Sequence, residues 1–291
     1  MKKIIKYIKN TIIFIIINWL ILFILLPNVI IIIVSFLKKN NVHLIQIHFN
    51  FTNYLRLLNI IYIKIFLHSL YISLITTILC LIIGYMFSWF LIQMTYKKQS
   101  IMLMFLFLPF WINSIIRIYS LKIFLSINGW FNKFLIYLHI IKQPIHIIYT
   151  PLAVILGLIY ILLPFMIIPI YNSLNKLDKY CIEAAKDLGA PFWKTFVYII
   201  IPLTSPGIIS GCLLVFLPSI GMFSINDLMG GTQNLLIGNI IKNQFLNIRD
   251  WPFGSALSSI IIFITGVLLI LYWKIIYFLN GKNYKDFTNN V

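Results

Sequence analysis

The sequence predicts an all-α polytopic membrane protein with six transmembrane helices. Three observations lead there. First, hydrophobic residues fill 61% of the 291 positions and charged residues only 10%. Soluble domains carry about 45–50% apolar and about 25% charged residues, so this chain cannot cover a water-facing surface. Second, six apolar stretches are each long enough to cross a hydrocarbon core of about 30 Å, which takes about 20 helical residues. Third, Lys and Arg sit in the short gaps between those stretches. Together these exclude a soluble enzyme, a nucleic-acid-binding domain and a disordered tail. A formal charge of +17 would point to nucleic acid in a soluble protein. Here membrane topology explains it better.

The elements follow in order. The first apolar stretch, about 12–36, comes after Lys2, Lys3, Lys6 and Lys9. It is too long for the core of a signal peptide, and no small-residue cleavage site follows it. It reads as a retained helix that Pro27 bends. The other stretches are about 67–92, 101–125, 147–172, 199–223 and 255–279. With the N-terminus inside, the inner segments are the shorter and more Lys-dense ones. The positive-inside rule then places both termini in the cytoplasm. The gap near 93–100 is a tight inner turn and that near 173–198 a longer inner loop. The segment near 224–254 is a polar, Gly-rich outer loop. Residues 1–66 read as an N-terminal tail, first helix and outer loop, residues 67–273 as the transmembrane core, and residues 274–291 as a short cytoplasmic tail. Cys80, Cys181 and Cys212 form no CxxC pair, and His43, His48, His68, His139 and His146 are scattered. No metal site is expected.

The inner loop holds three of the six acidic residues, Asp178, Glu183 and Asp187. Asp178 suits a helix N-cap. Cys181, Ile182, Ala185 and Leu188 then recur at helical spacing and make one small apolar face. Gly189 sits where a helix stops, and Pro191 where the next one starts. Such a helix either lies at the lipid headgroups or projects toward a partner groove. The residues alone leave both readings open.

A resemblance separates them. Glu183-Ala184-Ala185, three residues, Gly189, nine residues, Ile199, one residue, then Ile201-Pro202 resembles the EAA loop of ABC-importer permeases. The one departure is Ile201, where Leu is usual. Four further blocks extend the likeness: 108–119 around Trp111, 160–166 from Tyr160, 201–212 from Ile201, and 227–254 from Asp227. From about Trp19 to Trp273 the chain resembles permease subunits of spermidine/putrescine importers, in the binding-protein-dependent transport permease family.

That resemblance implies the type I importer permease (MetI-like) architecture in a bacterial inner membrane. It implies that Glu183, Ala184, Ala185 and Gly189 couple the chain to a cytoplasmic ABC ATPase dimer, and that Pro202 sets the start of the fifth span. It also implies a second homologous permease and an extracytoplasmic polyamine-binding protein. No GxxxxGK[ST] occurs, so the chain is not its own ATPase. ATP and Mg belong to the partner, and no cofactor is expected here.

A polyamine path needs carboxylates, carbonyls or aromatic faces. Asp227, Trp111, Asn113, Tyr119, Tyr160 and Phe223 are the candidates, each weighed against ordinary packing or capping. Asp250, beside Arg249, reads as a local ion pair or turn. Arg117 and Lys122 would repel a polycation, so Arg117 reads as structural or gating. The small-residue stretch from Gly207 to Gly211 allows close helix contact, within the chain or to a second permease. Two rivals are weaker: the same machinery for another small solute, and a self-contained secondary transporter. The latter needs carboxylates at mid-membrane, and the six stretches contain none.

Overall fold

The computed structural model describes residues 2–40, 44–46, 48–231 and 234–288, with the side chains of 2–10, 44, 179 and 276–288 left aside. His43 lies outside the described residues.

Helices α1 (Lys2–Leu20) and α2 (Leu26–Ser35) form the first span through a π segment, Ile21–Leu25. Pro27 explains that segment. Proline has no N–H to give and its ring crowds the preceding turn, so the ladder widens just before it. A small antiparallel hairpin follows, β1 (Lys38–Asn40) with β2 (Leu44–Gln46), then α3 (Thr52–Leu57) and the long α4 (Ile60–Ile92). The third span is α5 (Tyr96–Phe107), a 3₁₀ turn at Leu108–Trp111, α6 (Ser114–Leu125) and α7 (Trp130–Tyr137). α8 (Pro151–Asn175), α9 (Lys179–Asp187), α10 (Phe192–Thr195), a π segment at Phe196–Ile200 and α11 (Ile201–Gly221) come next. The rest is α12 (Phe223–Ile225), a π turn at Asn226–Gly230, α13 (Ile237–Leu246) and α14 (Trp251–Thr288).

Among the described residues five helical stretches are long and apolar enough to cross a membrane. These are Thr11–Ser35, Ile60–Ile92, Pro151–Asn175, Phe192–Gly221 and Trp251–Ile275. The sixth expected span, 101–125, is not one straight helix. Tyr96–Trp111 and Ser114–Tyr137 meet at a bend of 97°. Pro109 tightens the first half into its 3₁₀ end, and Asn113 starts the second half as its N-cap.

The chain forms two compact units. One runs to Ile63 and includes Ile240–Val267. In it Asn53 donates to the carbonyls of Ser35 (3.0 Å) and Leu37 (2.8 Å), which pins the end of the first span to α3. Arg56 pairs with Asp250 at 2.9 Å and lies over the Phe253 ring at 4.1 Å. Asp250 also caps α14 by accepting from the Phe253 N–H. Its ion pair is therefore with Arg56, not with the adjacent Arg249. A buried carboxylate takes whichever cation the fold delivers.

The other unit holds Lys64–Asn239 and the chain from Leu268 onward. Its core is centred on α8, where Val154, Leu158, Met166 and Ile170 are fully buried. α4 turns its small and hydroxylated residues inward: Ser69, Ser73, Thr76, Cys80, Gly84 and Ser88 are buried, while Leu74, Ile78, Ile82 and Met86 are exposed. That is the expected polarity in lipid, where helices meet through small residues and the large apolar ones need no burial. Gly207 and Gly211 of α11 complete the packing. A Cβ on Gly207 would strike Ser173 and the Pro169 carbonyl, and one on Gly211 would meet Met166 Sδ at 2.7 Å. The small-residue stretch thus serves contact within the chain.

Candidate coupling loop and transport path

α9 is built from local signals. The Asp178 carboxylate accepts from the Tyr180 N–H at 3.0 Å and caps the helix start. At the other end Gly189 has φ +76°. Its N–H reaches the Lys186 carbonyl (2.9 Å), and the Ala190 N–H reaches that of Ala185 (3.0 Å). This pair of bonds is the Schellman stop, which needs a left-handed residue that glycine supplies without strain. Pro191 is the N-cap of α10 rather than its first helical residue.

The expected apolar face of α9 divides in two. Ile182 packs on the core and Ala185 is 6% exposed, so this edge faces the spans. Cys181 is exposed, and Leu188 is 88% exposed beyond the helix end. At 100° per residue, Tyr180, Ala184 and Leu188 share the opposite side. All three are exposed, with Trp193 following on α10 and Glu183 also exposed. The outward side of α9 is thus a stripe of small and apolar residues flanked by a carboxylate. Sequence reasoning missed Tyr180 and Trp193. Aromatic residues on a charged inner loop are the signal for them. Pro202 stands well inside the Phe192–Gly221 span, just after its π segment, and not at the start of that span. It widens the helix there as Pro27 does in the first span.

The path candidates fall into two places and two isolated positions. Trp111 and Asn113 sit at the break of the third span. Trp111 is 85% exposed, and the Asn113 side chain accepts from the Ile115 N–H at 2.8 Å, which makes it a cap. Phe223 and Asp227 are brought together by Asn239. Its amide donates to the Phe223 carbonyl (3.3 Å) and to the Asp227 carboxylate. Its carbonyl accepts from the Asn226 side chain (2.8 Å) and the Leu236 N–H (3.2 Å). All four hydrogen-bonding positions of this amide are in use. Asp227 is exposed despite that tie. Trp111, Tyr119 and Tyr160 make no side-chain hydrogen bond or ring contact with a described residue, and all three are exposed. Asn239 was not among the sequence candidates, because its role depends on partners that only the fold assembles.

Arg117 is 7% exposed and lies over the Phe110 ring at 4.7 Å, across the break from it. Phe110 in turn meets Phe165 edge to face at 5.5 Å. The guanidinium therefore braces the bend against α8, which fits a structural role.

Comparison with known proteins now decides the family. Residues 83–280 match the family described as binding-protein-dependent transport system inner membrane component. The chain belongs to this family. It is thus a non-enzymatic inner-membrane transport component with several membrane-spanning helices. It is 54% identical over 267 residues to the "Spermidine/putrescine transport system permease protein PotB" of Escherichia coli (strain K12), covering 92% of this chain and 97% of that one. The protein of the same description from Haemophilus influenzae is 46% identical, with 92% and 94% covered. A bacterial ABC transporter involved in the import of the acidic polysaccharide alginate shares the fold, with a TM-score of 0.72, 17% identity and 98% of both chains covered.

Proposed function

We propose that this permease is one of two membrane subunits of an ATP-driven importer for polyamines such as spermidine and putrescine. The relatives' identity of about half over nearly the whole chain carries the substrate class. The outward stripe of α9 carries the mechanism. Ala184, with Glu183 beside it, meets a groove on a cytoplasmic ATPase, and the Gly189 stop holds α9 at a fixed angle to the fifth span. Closure of the ATPase pair pushes α9, and Ile182 and Ala185 pass the push to α8 and the core. In this reading both termini and α9 are cytoplasmic, while Phe223, Asp227 and the third-span break face outward. ATP and Mg are held by the ATPase.

The path is poor in carboxylates. Asp227, tied to the Asn239 amide, is the acidic candidate for cargo contact, while Asp250 is paired with Arg56. Aromatic faces contribute about 0.5–2 kcal/mol each to a passing ammonium. That supports transient contact, and an external binding protein supplies the selection. The test is ATP hydrolysis by the reconstituted complex with its ATPase, second permease and binding protein. Spermidine-loaded binding protein is expected to stimulate the wild type, and Glu183→Ala is expected to lose at least tenfold of that stimulation while still assembling. Stimulation by a different solute alone would discard the polyamine. Full stimulation in Glu183→Ala would discard the coupling role.

A further inference from the structure

Arg117 is a buried charge without a counter-ion. It is 7% exposed, and its guanidinium lies over the Phe110 ring at 4.7 Å. Its Nε is enclosed with no acceptor, and no hydrogen bond or ion pair reaches the rest of the guanidinium among the described residues. A buried cation left without an anion is costly, so such groups are normally paired. The chain supplies no anion here. Among the described residues Asp250 is taken by Arg56 and Asp227 by the Asn239 amide, while Asp178, Glu183 and Asp187 stand on or beside α9. Arg117 belongs to the first turn of α6, which starts at Ser114. Helix side chains lean toward the N-terminus, and the ring under Arg117 precedes that start, so the guanidinium sits at the positive end of the helix dipole. That is the wrong end for a cation alone and the right end for an anion held by one. Ser114, one turn before Arg117 on the same face, is exposed, and its hydroxyl has no hydrogen bond with a described residue.

We propose that Arg117 and Ser114, at the start of α6, hold a carboxylate side chain of the second permease across the subunit interface. The inference rests on the two-permease reading above. Three arguments choose this occupant. Guanidinium and carboxylate meet through two parallel N–H···O bonds, which the unpaired end of Arg117 can supply. A path for a polycation needs carboxylates, and this chain, at +17 with six acidic residues, has few to give, so they fall to the second permease. The surface beside the seat is apolar and outward: Trp111 is 85% exposed, Ile112 47% and Ile115 50%. A protein segment covers such a rim and a hydrated ion does not. The pair bears on transport. Without cargo, Arg117 occupies a carboxylate that an ammonium group of the cargo would otherwise meet. Cargo then competes with Arg117 for it, and the interface at the third-span break loosens when a cation arrives.

The experiment uses the whole complex, with the second permease and the ATPase, in its own membranes. Benzoylphenylalanine in place of Ser114 is expected to crosslink on illumination to a peptide of the second permease that contains Asp or Glu. Arg117→Glu is expected to lower the second permease retained on purification at least fivefold. Replacing the crosslinked carboxylate by Lys is expected to restore retention by Arg117→Glu to within twofold of wild type, a rescue that lost folding would not allow. A crosslink to lipid alone would make a lipid phosphate the anion and overturn the assignment. So would a crosslinked peptide without Asp or Glu, full retention by Arg117→Glu, or no recovery in the reversed pair. A wild-type chain that retains no second permease would instead overturn the two-permease reading, and this inference with it.

Discussion

The inner loop and the outer mouth are both made of short helices and turns, but different contacts hold them. Among the described residues, the hydrogen bonds that shape the inner loop are local. Asp178 caps two residues ahead, and the Gly189 stop closes over Lys186 and Ala185. In the outer mouth the key side chain, Asn239, reaches back 12 residues to Asp227, 13 to Asn226 and 16 to Phe223. The inner loop is shaped by its own sequence. The outer mouth is held across longer separations: besides Asn239, the Asn234 amide donates to the Tyr149 carbonyl (3.2 Å), the Tyr149 N–H to the Met229 carbonyl (2.8 Å) and the Ile237 N–H to Ser69 Oγ (2.8 Å). Local caps shape the inner loop, and side chains distant in sequence hold the outer mouth.

The largest expected effect breaks the mouth. Asn239→Ala removes four hydrogen bonds and strands the buried Asn226 amide and Leu236 N–H. Each buried group left unpaired costs about 1–3 kcal/mol. Thermal unfolding should fall clearly, and proteolysis within 223–239 should speed up, while cleavage of the inner loop stays as before. Equal loosening of both regions would remove the contrast between them.

The next effect breaks the lever. Gly189→Val forces an L side chain into left-handed backbone, at about 1–2 kcal/mol. That is a factor of roughly 5–30 in the population of the native stop. Stimulated ATP hydrolysis should drop by a similar factor with little change in melting temperature. Gly189→Asn, which tolerates this backbone better, should fall between. A Gly189→Val variant with full stimulation would mean that the angle of α9 is set elsewhere.

The smallest effect sharpens the comparison at a third place. Asp250→Asn keeps the cap on the Phe253 N–H but loses the charge opposite Arg56, whose side chain is 48% exposed. Arg56 can return to water, so the loss should be about 1 kcal/mol, read as a small drop in melting temperature that high salt narrows.

These differences also explain how much could be read from the sequence. Five unbroken spans, the Asp178 cap and the Gly189 stop follow from apolar length and short-range capping, so they were legible. The break in the third span was half legible. Pro109 and Asn113 are both breakers, but the apolar run from Ile101 hides them. The facing of α9 was legible as a pattern and wrong in part, since Cys181 and Leu188 turn outward once Ile182 and Ala185 take the core. The Asp250 partner, Arg56, lies 194 residues away, and no spacing rule reaches that far. The Asn239 partners are only 3 to 16 residues away, but the turns that gather them form only in the fold.

The most direct test asks whether the lever and the mouth lie on opposite sides of the membrane. Exposed Cys181 is first replaced by Ser, and Ala184→Cys and Asp227→Cys are then made separately. Each is labelled with a membrane-impermeant maleimide in right-side-out and inside-out vesicles. Cys at 184 should label only in inside-out vesicles, and only until the ATPase is added back. Cys at 227 should label only in right-side-out vesicles. Labelling of both positions from one side, or of position 184 at full rate with the ATPase bound, would contradict the arrangement of an inner lever driving an outer mouth.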